Sequence, residues 1–406
     1  MNIIFLSIAF PFVDDRNIYS DLMNEFVDRG ENVWVLCQSE RMKGGSTQFA
    51  VEGRLNILRV RTGNLTGKVS LIEKGLTTLS VEPLFIRAIK KHLSDIKFDL
   101  IIYSTPPITF CKVVEFIKKR DSAASYLLLK DIFPQNAVDI GILKENGILH
   151  RFFRTREKKL YSISDYIGCM SEGNMKYVLN NNTYVKPEKV ELCPNSIKPM
   201  PVPKINKQAS EIIRSQYHIP NESTLFVYGG NIGIPQGIEF LITVFKAIND
   251  RRDVFILVVG DGNKYSVLDN YLKENPQENV KLCRRLAKID YDRLLTACDV
   301  GLIFLSRKFT IPNFPSRLIA YMEMALPVLA ATDINTDFKD AIIESGCGFW
   351  SESGDIKTFM SYFDKLVSNP VMGKAMGIKG RSWLEEYYTV SRGYDIIMSH
   401  FKRGDK

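Results

Sequence analysis

The chain has 406 residues, 45% of them hydrophobic and 25% charged, enough apolar material for more than one folded core. Its 54 Lys and Arg against 46 Asp and Glu leave a net charge of +8, a mild excess suited to phosphate-bearing ligands or an anionic surface. No apolar run is long enough to span a bilayer, no basic stretch interleaved with aromatics suggests a nucleic-acid platform, and the scattered His residues offer no metal-ligand spacing.

The opening "MNIIFLSIAFPFVDD" is apolar without a basic leader, so it reads as a strand and not as a signal peptide. Further strands are expected at 32–37, 55–60, 100–103, 125–129 and 166–169, with helices at 19–29 and 83–94. The loops after these strands carry Asp14, Asp15, Arg16 and Tyr19, then "YSTPPITF", then Lys130, Asp131 and Gln135. Around "ELCPNSIKPMPVPKINKQAS" the prolines mark a linker. A second series follows, with strands at 225–228, 254–259, 280–282, 300–304 and 328–331, helices at 239–248, 291–297 and 317–325, and a helical pattern from 381 to 402. Apolar strands alternating with helices predict an α/β chain of two Rossmann-like domains facing each other across a cleft, with ligands at the strand ends. The seven scattered Cys, without a CxxC pair, read as core fillers of a cytoplasmic protein.

Four stretches of the second half carry the chemistry. In "FVYGGNIGIPQGIEF", Gly229, Gly230, Asn231 and Gly233 lead from a strand to a helix, and missing Cβ atoms let a diphosphate approach the backbone N–H groups. The spacing fits neither the dinucleotide nor the P-loop fingerprint. "VVGDGN" ends the next strand. In "LCRRLAKIDYDRLL", Arg284, Arg285 and Lys288 follow a third, and Asp290 is expected to cap a helix. In "TIPNFPSRLIAYMEMALPVLAATD", Asn313 or Ser316 is the expected cap, and Arg317 supplies a planar fork for phosphate oxygens at the helix start.

Together with "KDIFPQNAVDIG" and "CPNSIKP", these motifs resemble the GT-B glycosyltransferases, and within them the family 4 retaining enzymes of bacterial O-antigen and capsule synthesis, of the L-fucosamine transferase type. The resemblance implies an N-terminal acceptor-side domain, residues 1–200 completed by a returning helix at 381–406, and a nucleotide-sugar domain at 201–380. It implies a metal-independent hexosyltransferase without cofactor, taking a UDP-linked and N-acetylated amino sugar donor to a lipid-linked or glycan acceptor, with peripheral contact at the inner face of the membrane. Donor contacts would come from Gly229, Gly230, Asn231, Gly233, Ser316 and Arg317, and from the backbone at Arg285 and Leu286 toward the base. Arg16, Tyr19, Lys130 and Gln135 would serve the acceptor, and Asp131 and Arg317 the chemistry. The family's paired Glu residues are replaced by Pro312 and Ala320, and its Arg and Lys after the glycines by Ile234 and Gln236. Glu323, one turn beyond Ala320, and Asp333 become candidates for the ribose contact. Two rival readings stay open: a non-catalytic nucleotide-sugar-binding scaffold, and a nucleotide-sugar epimerase on the same architecture.

Overall fold

The computed structural model describes residues 1–12, 16–65 and 69–401. They divide into two compact units, Met1–Lys198 together with the residues from Val390 on, and Pro199–Thr389.

The first unit runs β1 (Asn2–Ser7), α1 (Ile18–Asp28), β2 (Asn32–Glu40), β3 (Gln48–Glu52), β4 (Leu55–Thr62), α2 (Leu71–His92), β5 (Leu100–Ser104), α3 (Cys111–Asp121), β6 (Ala124–Leu129), α4 (Gln135–Asp139), α5 (Ile148–Ile163), β7 (Tyr166–Cys169), α6 (Glu172–Asn181) and β8 (Val190–Leu192). Its sheet has the order β3-β4-β2-β1-β5-β6-β7-β8, parallel except for the β3–β4 pair. Strands such as Leu100–Ser104 are buried along their whole length because helices cover both faces. Asn17 starts α1 with a reciprocal cap, its Oδ1 accepting from Tyr19 and Ser20 N–H (both 2.9 Å) while Ser20 Oγ accepts from Asn17 N–H (2.8 Å). α2 begins twelve residues before the expected start at Pro83, which stands inside the helix; the Ser70 hydroxyl caps it by accepting from Glu73 N–H. The short edge strand β3 has no counterpart among the expected strands.

The second unit runs α7 (Lys207–Gln216), β9 (Thr224–Asn231), α8 (Ile238–Ala247), β10 (Val254–Asp261), α9 (Tyr265–Glu274), β11 (Val280–Cys283), α10 (Lys288–Leu295), β12 (Val300–Phe304), α11 (Arg317–Glu323), β13 (Val328–Thr332), α12 (Phe338–Ser345), β14 (Gly348–Glu352), α13 (Ile356–Ser368) and α14 (Pro370–Tyr387). The sheet order is β11-β10-β9-β12-β13-β14, all parallel. After β11 the chain crosses back to the other side of β9, so β9 and β12 flank the point where the order reverses, the place where such sheets take ligands.

α15 (Val390–Met398) belongs to the first unit. Val390 N–H donates to Ile197 O (2.9 Å), and Tyr394 packs edge-on against Phe26 of α1, ring centroids 4.8 Å apart. α14 runs unbroken through residue 381 and packs on α11, so the second unit ends at Thr389 instead of 380. Residues 402–406 of the expected returning helix lie outside the described residues. Among the described residues, no helix is long and apolar enough to cross a membrane.

Candidate functional site

In the second unit, the expected glycine turn proves to be strand. β9 continues through Gly229, Gly230 and Asn231, which pair in register with Val259, Gly260 and Asp261 of β10. Both glycines of β9 are sterically required. A Cβ on Gly229 would stand 1.7 Å from the Tyr291 hydroxyl, and Gly230 has φ +116° with its Cβ position 3.4 Å from Arg317 Nη2. Gly230 and Asn231 are exposed while Gly229 is buried, so the open backbone lies at the strand's end. The turn follows through Gly233, extended, and Gly237, left-handed at φ +56°; α8 then starts without a side-chain cap. Asn231 Nδ2 donates to Gln236 Oε1 (3.0 Å), which draws that turn back over the strand end.

Arg317 opens α11. Its guanidinium carbon lies 4.4 Å from the centre of the Tyr228 ring, and Tyr228 shares a strand face with Gly230, two residues on. Nη1 of this guanidinium is buried without a hydrogen-bond partner. Ser316 stands at the N-cap position but makes no capping bond, and Asn313 does not cap either; Leu318 and Ile319 N–H bond back to the carbonyls of Pro315 and Ser316 instead. Ser316 is exposed. Asp261, at the end of β10, accepts from Arg284 Nη1 (2.8 Å) and from Arg285 N–H (3.2 Å), holding the Arg285–Leu286 loop beside the glycine edge. The Arg284 partner holds the Asp261 carboxyl below its ordinary range. Gly229, Gly230, Asn231, Arg285 and Arg317 are thus brought to the strand ends of one sheet. Tyr228, Asp261, Tyr291 and Tyr321 join them, though sequence reasoning gave them no role there.

Three carboxylates of the second unit were singled out from the sequence, and the cap expected at Asp290 is corrected. Glu323 is 4% exposed in the last turn of α11, and its carboxylate accepts from Met200 N–H (3.0 Å). It is six residues, about 9 Å of helix, from Arg317. Asp333 is buried in a turn after β13, its Oδ1 accepting from Asn335 and Thr336 N–H (both 3.0 Å). Asp290 lies in the first turn of α10 behind Ala287, so it complements the helix dipole and caps nothing.

In the first unit, the ends of β5 and β6 gather Tyr19, Lys130 and Asp131. Thr105 Oγ1 accepts from Lys130 N–H (3.0 Å) and Asp131 N–H (3.3 Å). Burial pushes the Asp131 carboxyl up to about 6. Burial likewise raises the Tyr19 hydroxyl to about 12, against the lowering effect of its hydrogen bond with Ser104, and lowers the Lys130 ammonium. Lys130 and Tyr19 line one small pocket with Asn195 and Ser196. Gln135 lies in another, with His150, Arg154, Glu157 and Tyr177. Arg16 is engaged by Asp21 (2.8 and 2.9 Å) and by the Lys198 carbonyl. Asp14 and Asp15 lie outside the described residues. Among the described residues, no three His, Cys, Asp or Glu side chains come together as metal ligands.

Residues 209–383 match the family described as Glycosyl transferases group 1. The Pseudomonas aeruginosa protein named "Probable glycosyltransferase WbjE" is 24% identical over 331 residues, 80% of this chain and 79% of its own. The Staphylococcus aureus capsular polysaccharide biosynthesis glycosyltransferase CapM is 25% identical over 183 residues, 44% of this chain and 46% of that protein. Anabaena HepE, solved in complex with UDP, superposes with a TM-score of 0.70 over 98% of this chain and 99% of its own at 14% identity, a likeness of fold. Residues 209–383 of the second unit are thus similar to the group 1 glycosyl transferases, in a chain built as the two Rossmann-like domains of the GT-B fold.

Proposed function

We propose that this protein transfers a sugar from a UDP-linked donor to a lipid-linked or glycan acceptor, with retention, in the synthesis of a surface polysaccharide. The observation that carries this reading is Arg317: a guanidinium stacked on Tyr228, against the Cβ-less edge at Gly230, with a buried Nη1 left without a protein partner. A buried cationic donor of that kind calls for an anion. The UDP in the HepE structure and the part of CapM in capsular polysaccharide biosynthesis support the nucleotide and the pathway.

In the reaction, negative charge builds on the departing diphosphate, and a donor fixed in advance where that charge develops lowers the barrier. Arg317 meets the phosphate oxygens, and the exposed backbone at Gly230 and Asn231 lets them approach. Asp131 serves the acceptor hydroxyl. Near neutral pH its carboxylate is largely ionised yet basic enough to take a hydrogen bond from that hydroxyl. Because a guanidinium neutralises the leaving group, turnover is expected to persist in excess EDTA. The test is release of UDP on mixing donor and acceptor, after thermal shifts across a panel of nucleotide sugars have chosen the donor. Stabilisation by a donor without any UDP release over a broad acceptor set would turn the reading toward a scaffold.

A further inference from the structure

The loop from β12 to α11 holds a second donor with nothing to bind. Asn313 Nδ2 is sealed from solvent and, like Arg317 Nη1 four residues on, has no hydrogen-bond partner among the described residues. Failure to cap α11 does not account for it, because a capping side chain acts through its oxygen and not through its nitrogen. Nor is the loop slack. Its Phe309 and Ile311 are buried, and the Phe314 ring packs edge-on against Phe338 with centroids 5.3 Å apart. Thr336, 1% exposed in the turn after β13, donates its hydroxyl to the Asn313 carbonyl (2.6 Å), and Asn335 Nδ2 donates to Phe309 O (2.5 Å). The residue is thus fixed in place, and a buried donor without a partner is rare enough in folded chains to call for an acceptor.

Its place along the sheet selects the acceptor. In the order β11-β10-β9-β12-β13, the open edge at Gly230 belongs to β9. The Arg285–Leu286 loop follows β11 on one side of that edge, and the turn that holds Asn313 follows β13 on the other. A diphosphate lying between Gly230 and Arg317 carries a nucleoside at one end and a sugar at the other. With the nucleoside toward β11, the sugar extends toward β13. We propose that Asn313 is a specificity-determining residue for the transferred sugar, its Nδ2 donating to an uncharged oxygen of that sugar, a hydroxyl or the carbonyl of an acetamido group. The charged fork of Arg317 is matched to phosphate, whereas a neutral amide suits an oxygen without charge. A buried donor of this kind also discriminates, since a sugar lacking an oxygen at that place leaves the amide unpaired and is rejected. The inference rests on the proposed function and adds to it the group that reads the sugar.

The test is calorimetric titration of the full chain with UDP, UDP-glucose, UDP-galactose, UDP-N-acetylglucosamine and UDP-N-acetylgalactosamine, beside melting curves without ligand. Asn313→Ala should raise the Kd of the UDP-sugar that the parent binds best by about tenfold, while changing the Kd of UDP by less than about twofold. Its Tm should equal or exceed the parent's, because the free protein loses no hydrogen bond. Asn313→Asp sorts the two oxygens, read as UDP-sugar affinity relative to UDP. A hydroxyl can turn and donate to the new carboxylate, so that ratio is kept; an acetamido carbonyl cannot, and the ratio falls at least as far as in Asn313→Ala. Equal weakening of UDP and UDP-sugar by Asn313→Ala would move the contact to the diphosphate and overturn the proposal. So would unchanged binding of both, a Tm clearly below the parent's, or a parent that binds UDP but none of the four UDP-sugars. A parent that binds none of the five ligands would strike the proposed function, and this inference with it, whereas the other failures leave that function standing.

Discussion

At the scale of single residues, Arg317 and Asp131 show opposite uses of burial. Arg317 lies over an aromatic ring, with one nitrogen lacking a partner. Arg317→Ala should lower kcat/KM by about a hundredfold or more with little change in Tm, and Arg317→Lys should restore little, since an ammonium cannot present a planar fork. Steady-state kinetics beside melting curves decides this, and a loss of Tm equal to the loss of activity would make Arg317 structural. Asp131 carries the reverse penalty. Its carboxyl titrates at about 6 in the folded chain against 3.8 ordinarily. Between those values the native state keeps a proton that the unfolded chain has lost, so its contribution to stability falls as pH rises through that window. Asp131→Asn should therefore be more stable than the parent at pH 8, by about 1–3 kcal/mol, with the difference vanishing below about pH 4. Melting at the two pH values checks it. The glycines and Arg317 were legible from sequence because a missing Cβ and a guanidinium each limit what a position can do. Tyr228, Tyr291 and Tyr321 were not, since an aromatic in an apolar run is indistinguishable from core until the strands are paired.

At the scale of elements, the seam between β9 and β12 explains how the site stays open. The two strands pair only at Val300–Phe226 and Gly301–Val227. Beyond that point the Tyr321 hydroxyl stands between them, within 3.1 Å of Val227 O and 3.2 Å of Leu302 O, while accepting from Gly229 N–H at 3.2 Å. A side chain of α11 thus completes a ladder that the backbones have left. Tyr321→Phe keeps the ring that a Cβ on Gly301 would strike, but strands these buried groups. We expect a loss of about 1–3 kcal/mol in denaturant unfolding; an unchanged midpoint would mean the seam closes on itself. The alternation of strands and helices was readable because strands covered on both faces are apolar throughout. β3 was hidden because a five-residue edge strand with exposed Phe49 and Val51 has neither an inward face nor a long apolar run. The start of α2 was misplaced because Pro83 reads as a first-turn residue, whereas the true start is set by the Ser70 hydroxyl.

At the scale of the whole molecule, two cores imply two melting events. A nucleotide held at β9 and α11 should raise only the transition of the second unit, by about 2.7 kcal/mol at a hundred times its Kd. Calorimetry with and without UDP tests this; equal shifts of both transitions would count against a site built within one unit. Removing residues from 390 on should lower the other transition, because Leu22, Met23 and Phe26 would lose Val390, Tyr394, Ile397 and Met398 as neighbours. The same arrangement has a consequence for biosynthesis. As the chain leaves the ribosome, α1 emerges early with an apolar flank whose cover is encoded after the entire second unit. At about 5–20 residues per second, the roughly 360 residues from α1 to α15 keep that flank waiting about 18–72 s, long enough for residues 199–389 to fold first. The half of the protein made first is finished last, and during that interval the flank of Leu22, Met23 and Phe26 lacks its cover.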